Sequence, residues 1–170
     1  PSTASSFTQS LKETARLLAT RVNGEALPVR CVALRAHGGY DTHSGQRAGH
    51  DNLMAQLNDA VFAFQQDLAK QGHAKRVLTF TLSEFGRRVS ENGTEGTDHG
   101  AGGTSFLFGP GLKPGVHGVH PSLTDTIGGG GGSLKFATDF RSLYATVLEK
   151  WLGIPSEPVL GKFPLLDVIS

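Results

Sequence analysis

Cysteine is almost absent from this sequence, since Cys31 is the only one in 170 residues. A single thiol excludes an internal disulfide and a zinc site built from several cysteines. Cys31 falls inside the apolar stretch of residues 29–34, VRCVAL. We therefore expect a buried, unreactive thiol in a strand.

The sequence also lacks long apolar runs and an excess of charge of either sign. No stretch approaches the roughly 18–20 apolar residues that cross a bilayer, so no membrane span is expected. Lys and Arg number 16 and Asp and Glu 15, which gives a formal net charge of +1. Basic residues that are so few and so closely matched by acids argue against nucleic acid as a partner.

Several motifs that identify enzyme classes are missing. The glycine-rich segments do not form a P-loop or the dinucleotide-binding GxGxxG pattern, and no GxSxG nucleophile elbow occurs. Ser83 is the serine nearest to the polar motifs, but no local motif supports it as a nucleophile. The sequence thus leaves the catalytic nucleophile unknown.

Helical periodicity is clear in three places. Apolar residues recur at helical spacing in residues 5–22, 51–71 and 139–152, which predicts three amphipathic helices. Asn23 and Gly24 are expected to end the first helix, His50 or Asp51 to cap the second, and Asp139 to cap the third.

Two apolar stretches, residues 29–34 and 76–82, flank the second predicted helix. Strand, helix and strand in this order predict a βαβ unit with parallel strands. We therefore predict an α/β fold with a mainly parallel sheet flanked by helices, in a single domain of residues 1–170. Residues 128–133, GGGGGS, are typical of a flexible linker, and two origins are open: an engineered linker and a natural glycine-rich loop.

Polar residues able to bind a metal or an anion follow both predicted strands. Asp41 and His43 come after the first strand and Glu84 after the second, with Asp98 and His99 further on. Parallel strands place such loops at one edge of the sheet, so a shared site is expected there. Asp, His and Glu are ordinary ligands of divalent metals, here zinc, manganese, iron or calcium.

Each of these motifs also has a structural explanation. Asp41 and Asp98 could cap turns, and the histidines could be solvated surface residues. Arg87 could clamp a phosphate or sulfate group, or it could form an ordinary surface pair with Glu84. His117 and His120 are weaker candidates, in a loop that could close over the site.

The motifs GGYDTH, TLSEFGRRVSENGTEGTDHGAGG and DFRSLYATVLEKWLG occur in this order. They resemble the C-terminal half of a bacterial family known as domain of unknown function 1501. Members are typically exported, which implies a periplasmic or cell-surface location. Since full members are much longer, the resemblance implies that this chain is the C-terminal part of a longer protein.

That family is similar in fold to the alkaline phosphatase and sulfatase superfamily, which hydrolyses phosphate or sulfate esters at metal sites. The resemblance implies an alkaline-phosphatase-like, partial fold, with Asp41, His43, Asp98 and His99 as metal ligands. Glu84 stands where relatives carry an Asp-His pair, which changes the ligand count. The nucleophile would lie outside this chain, and an exposed sheet edge would be covered by a second copy or by the missing N-terminal segment.

Two functional interpretations are open. In the first, the chain is a metal-dependent hydrolase, or the metal-binding part of one, in which Arg87 neutralises a small anionic ester substrate. In the second, the chain is a non-catalytic binding or assembly domain on a phosphatase-like scaffold, and its polar loops bond to each other.

Overall fold

The computed structural model describes residues 6–36 and 38–170. Ser5, which starts the first predicted helix, lies outside the described residues. The contacts divide the chain into two compact units, each described by itself below. The first contains Pro1–Val77 and Asn92–Gly96, and the second contains Leu78–Glu91 and Thr97–Ser170.

Among the described residues, the regular elements are four α-helices, a 3₁₀ turn at Ala74–Arg76, a π-helical turn at Val147–Trp151 and eight short strands. The helices are α1 (Ser6–Ala19), α2 (Gln46–Lys70), α3 (Phe140–Thr146) and α4 (Glu157–Leu160). The strands are β1 (Arg21–Val22), β2 (Glu25–Ala26), β3 (Thr79–Phe80), β4 (Gly86–Glu91), β5 (Thr97–Gly100), β6 (Leu107–Phe108), β7 (Thr126–Ile127) and β8 (Ser133–Leu134). Of the helices in the described part of the chain, none has the length and apolar character that a membrane span requires.

The first unit is built on the packing of α1 against α2. The predicted apolar stripes of both helices are confirmed in the core, which is formed by Phe7, Leu11, Ala15, Ala60, Phe64 and Leu68. Leu68 is fully buried. Each buried Leu or Phe contributes roughly 1.5–3 kcal/mol, so this helix pair has a core of its own without a sheet.

The ends of these helices differ from the sequence prediction. Helix α1 stops at Ala19 because Asn23 and Gly24, both with positive φ, form the turn of the β1–β2 hairpin. Asn-Gly is the preferred sequence for such a turn. Helix α2 starts at Gln46 after Gly45, so the prediction that His50 or Asp51 caps it was wrong.

The predicted strand at residues 29–34 is not formed. This segment has no regular secondary structure, and its residues 30–34 are exposed, including Cys31, Val32 and Leu34. The prediction of a buried Cys31 was therefore wrong. β-branched composition shows that a segment suits a pleated surface, but it does not specify a partner strand.

The predicted parallel sheet and the α/β, alkaline-phosphatase-like fold were also wrong. All strand pairs among the described residues are antiparallel. The second unit holds a four-stranded sheet in the order β5-β4-β8-β7 and a separate pair, β3-β6. Of the strand predicted at residues 76–82 only β3 forms, and it pairs with β6.

The glycine-rich segment of residues 128–133 lies in a tight turn between β7 and β8. Its backbone carbonyls at Gly131 and Gly132 accept hydrogen bonds from the N–H groups of Ser90 and Val89 in β4, at 3.1 Å each. A Cβ on Gly131 would lie 1.6 Å from the Ser90 hydroxyl. The glycines therefore allow the turn to lie against β4.

Helix α3 and the C-terminal residues complete the second unit. α3 continues into a π-helical turn at Val147–Trp151, so the helix predicted at residues 139–152 is confirmed with a change of hydrogen-bond pattern. Thr146 is fully buried, and its hydroxyl accepts a hydrogen bond from the Leu166 N–H at 2.8 Å. The C-terminal residues are thereby attached to α3, and Ile169 bridges to Leu112.

Asp139 is confirmed as the cap of α3. Its carboxylate accepts hydrogen bonds from the Arg141 N–H at 2.8 Å and from the Arg141 guanidinium at 2.7 and 2.9 Å. These bonds to Arg141 stabilise the charged form and lower the pKa of Asp139 from 3.8 to about 2. The carboxylate is therefore held as an anion by its own helix terminus.

This arrangement predicts an acid-dependent loss of stability. The pKa of Asp139 is lower in the folded chain than its ordinary value of 3.8. Its contribution to the free energy of unfolding is therefore complete above pH 3.8 and is lost as the pH falls towards about 2. An NMR titration of the side-chain carboxyl group should give a midpoint near 2. A midpoint at the ordinary value of 3.8, or an unchanged acid-unfolding profile in Asp139→Asn, would contradict the prediction.

Candidate metal-binding loop

Asp41 and His43 lie in a loop of the first unit, just before α2. The side chain of Thr42 between them is buried and accepts a hydrogen bond from the Gln46 amide at 2.8 Å. Asp41 and His43 are both exposed, and Asp41 Oδ1 lies 3.1 Å from His43 Nε2, so the two side chains meet on the same side of the loop.

The loop at residues 92–96, which belongs to the same unit, holds the backbone of His43. The His43 carbonyl accepts hydrogen bonds from the Asn92 amide at 2.9 Å and the Thr94 hydroxyl at 2.6 Å. The Thr94 carbonyl in turn accepts the Gly45 N–H at 3.0 Å. Two side chains thus fix the same carbonyl, and the position of His43 depends on this contact.

Gly96 makes this contact possible. A Cβ at this position would lie 2.2 Å from the His43 carbonyl carbon and 2.3 Å from its oxygen. The Asn92 side-chain oxygen accepts the backbone N–H groups of Thr94 and Gly96, at 3.0 and 3.1 Å, and so closes the loop on itself. Residues 92–96 therefore form a rigid support for His43.

The Asp41–His43 pair has a geometry that suits two ligands of one ion. Ligand atoms bound at about 2.0–2.2 Å in tetrahedral or octahedral geometry are about 2.8–3.6 Å from each other. The observed 3.1 Å falls in this range. It also suits a hydrogen bond between the imidazole and the carboxylate. Since metal sites have three or more ligands, this pair would supply two of them.

Of the other predicted site residues, Glu84, Arg87, Asp98 and His99 belong to the second unit. Arg87 lies directly opposite His99 in the β4–β5 ladder. Its guanidinium donates a hydrogen bond to the Thr97 carbonyl at 2.6 Å and lies 5.0 Å from the centre of the Phe85 ring. The His99 ring stacks on the same Phe85 ring, with centroids 3.7 Å apart.

Asp98 faces the other side of this hairpin. Successive residues of a strand point to opposite faces, and both Asp98 and His99 are in β5. Asp98 forms an ion pair with Arg88 at 3.9 Å, whereas His99 packs on Phe85. In this arrangement the two side chains do not reach a common ion. Glu84 is exposed, and the Ser83 hydroxyl donates to the Phe85 carbonyl at 2.7 Å.

Residues 2–162 match the family model described as "Protein of unknown function (DUF1501)". The chain belongs to this family. No curated protein and no solved structure matches the chain. Membership in DUF1501 confirms the family resemblance of the three motifs, and it assigns no reaction.

Sequence reasoning missed the support loop of this DUF1501 chain. Asn92, Thr94 and Gly96 lie in NGTEG, inside the second of the three family motifs and between Arg87 and Asp98. The Asn-Gly pair indicates a turn, but nothing local shows that the turn contacts His43, about 50 positions away. Contacts of such range are visible only in the structure.

Proposed function

We propose that this chain binds a divalent metal ion through the loop that carries Asp41 and His43. The observation that supports the proposal is the 3.1 Å separation of a carboxylate oxygen and an imidazole nitrogen on one exposed side of the loop. The support of the His43 carbonyl by Asn92 and Thr94 is the second part of the argument. A preformed backbone lowers the entropy cost of ordering the ligands.

The reaction that we propose for this site is hydrolysis of a phosphate or sulfate ester. A divalent metal would supply Lewis acidity and an activated water for such a reaction. Asp41 and His43 would hold it. The roles of Glu84, Asp98 and His99 as ligands stay predictions from the sequence motifs. The metal-activated water would attack the ester. The role of Arg87 in binding the substrate anion stays a prediction from the sequence. Export of the protein remains a prediction of the family resemblance.

A non-catalytic binding or assembly domain is the second candidate function. It is favoured by the contacts of the charged residues in the second unit. Arg87 is bonded to the Thr97 carbonyl and Arg88 is paired with Asp98, so groups proposed for substrate and metal already contact their own hairpin. Such contacts are expected if these residues stabilise the hairpin.

The test of the metal site is a titration of the chelator-treated chain with zinc and with manganese. We expect about one ion per chain and a loss of affinity of at least about tenfold in Asp41→Asn/His43→Gln, because both ligands are removed. The matched control is Asp51→Asn/His50→Gln, which changes the same two residue types on the exposed surface of α2 in the same unit. The control should bind as the original chain does.

The outcomes separate the two functions. If the Asp41/His43 variant binds zinc and manganese as tightly as the control, the proposed metal site is wrong. If the metal binds at this loop, para-nitrophenyl phosphate and para-nitrophenyl sulfate then test for hydrolysis. Hydrolysis that requires metal and is lost in the same variant supports the enzyme, and metal binding without hydrolysis of either ester supports the second function.

A further inference from the structure

The second unit contains a cavity that the metal proposal does not use. Its volume is about 1010 Å³, and it is lined by residues 103–109 and 112–121, the start of α3 and residues 166–168. Three aromatic rings contribute to the wall: Phe106, Phe108 and Phe140. The rings of Phe106 and Phe108 are stacked with centroids 6.4 Å apart. Phe106 and Phe140 remain 44% and 64% exposed, so apolar surface is open to a ligand.

Two histidines line the same cavity, and each places one ring nitrogen against a backbone carbonyl. His117 Nε2 lies 2.8 Å from the Lys113 carbonyl, and His120 Nδ1 lies 2.8 Å from the Pro121 carbonyl. Since a carbonyl oxygen only accepts, a neutral imidazole at either position donates from this nitrogen. The other nitrogen of the neutral ring, Nδ1 of His117 or Nε2 of His120, is then a hydrogen-bond acceptor.

The charged residues of the lining are matched by opposite charges within the unit. Lys113 forms an ion pair with Asp167, and this contact lowers the pKa of the Asp167 carboxyl group. Asp139 is paired with Arg141 at 2.7 Å. The cavity therefore offers neither an excess positive charge to an anion nor an excess negative charge to a cation.

We propose that this cavity binds a neutral phenolic compound. The aromatic ring of the ligand packs against the Phe side chains, and its hydroxyl group donates to an imidazole acceptor of His117 or His120. Buried aromatic contacts supply affinity, and the hydrogen bond supplies selectivity for a hydroxylated ring. The inference rests on the second unit alone and is independent of the proposed metal site.

The experiment compares para-cresol with toluene, two probes of the same shape that differ in one hydroxyl group. The isotope-labelled chain is titrated with each probe, and NMR shifts of the cavity residues are followed. We expect para-cresol to bind about tenfold more tightly than toluene, the upper range for one hydrogen bond. In His117→Phe/His120→Phe, which keeps a ring at each position, para-cresol and toluene should bind equally.

A second variant keeps the proposal testable if the double histidine variant does not fold. Phe140 is mostly exposed, so Phe140→Ala should keep the fold and weaken para-cresol and toluene alike. The proposal is overturned if para-cresol shifts no residue of the cavity lining, or if its advantage over toluene survives in the double histidine variant. Tighter binding of methyl glucoside than of para-cresol would also overturn it, because a sugar does not require the aromatic wall.

Discussion

Gly86→Ala is expected to destabilise the second unit strongly. Gly86 is buried at the start of β4, where it lies opposite Gly100 in the ladder. A Cβ on Gly86 would lie 1.7 Å from the Gly102 carbonyl oxygen and 2.3 Å from its carbon. The obstacle is backbone, which cannot rotate away as a flexible side chain would. We expect a loss of about 3 kcal/mol or more in the free energy of unfolding, a large part of the stability of a small domain.

The matched control for this substitution is Gly130→Ala in the same unit. Gly130 has no atom within 4 Å of an added Cβ, and its φ is not in the left-handed region. Its effect should stay within about 0.5 kcal/mol, as for an exposed site without special geometry. Urea unfolding of both variants by circular dichroism measures the difference. Equal stability of the two variants would show that the close contact of Gly86 and Gly102 is not present in solution.

Gly96→Ala has the second large expected effect, which is on the proposed zinc binding as well as on stability. The added methyl group would overlap the His43 carbonyl group, which Asn92 and Thr94 hold in place. The two loops must then separate. We expect a cost of about 1–3 kcal/mol and a loss of zinc affinity of about tenfold or more, similar to the loss of a group that orients a metal ligand.

Gly93→Ala is the control, since it changes the same loop at a position with nothing within 4 Å of an added Cβ. Calorimetric zinc titration of both variants gives the comparison. Zinc affinity that falls in Gly96→Ala and not in Gly93→Ala assigns a positioning role to the loop. If zinc affinity is unchanged in a destabilised Gly96→Ala chain, the loop supports the fold only.

The helices could be predicted because their signal is local. Residues such as Leu11, Phe64 and Leu68 recur at the helical period, and one amphipathic helix covers the other. Asp139 was predicted as a cap for the same reason, since a cap acts on residues two or three positions away. The helix ends were less accurate, because Asn23 and Gly24 serve as a hairpin turn.

The sheet could not be predicted, because strand pairing depends on residues that are distant in sequence. Residues 29–34 and 76–82 have the composition of buried parallel strands, yet the first segment has no strand and β3 pairs with β6. The formation of strand β5 also explains why Asp98 and His99 do not form the predicted common site. β5 places Asp98 and His99 on opposite faces, whereas the predicted loop would have allowed both to approach one ion.

The exposed segment of residues 29–34 has a practical consequence for spectroscopy. Cys31 is the only thiol in the chain and it is accessible to solvent. One maleimide dye per molecule can therefore be attached without any substitution, and the label reports from the first unit only. Trp151 is the single tryptophan and belongs to the second unit, so its intrinsic fluorescence reports on that unit. The dye and the tryptophan together make the unfolding of each unit separately observable.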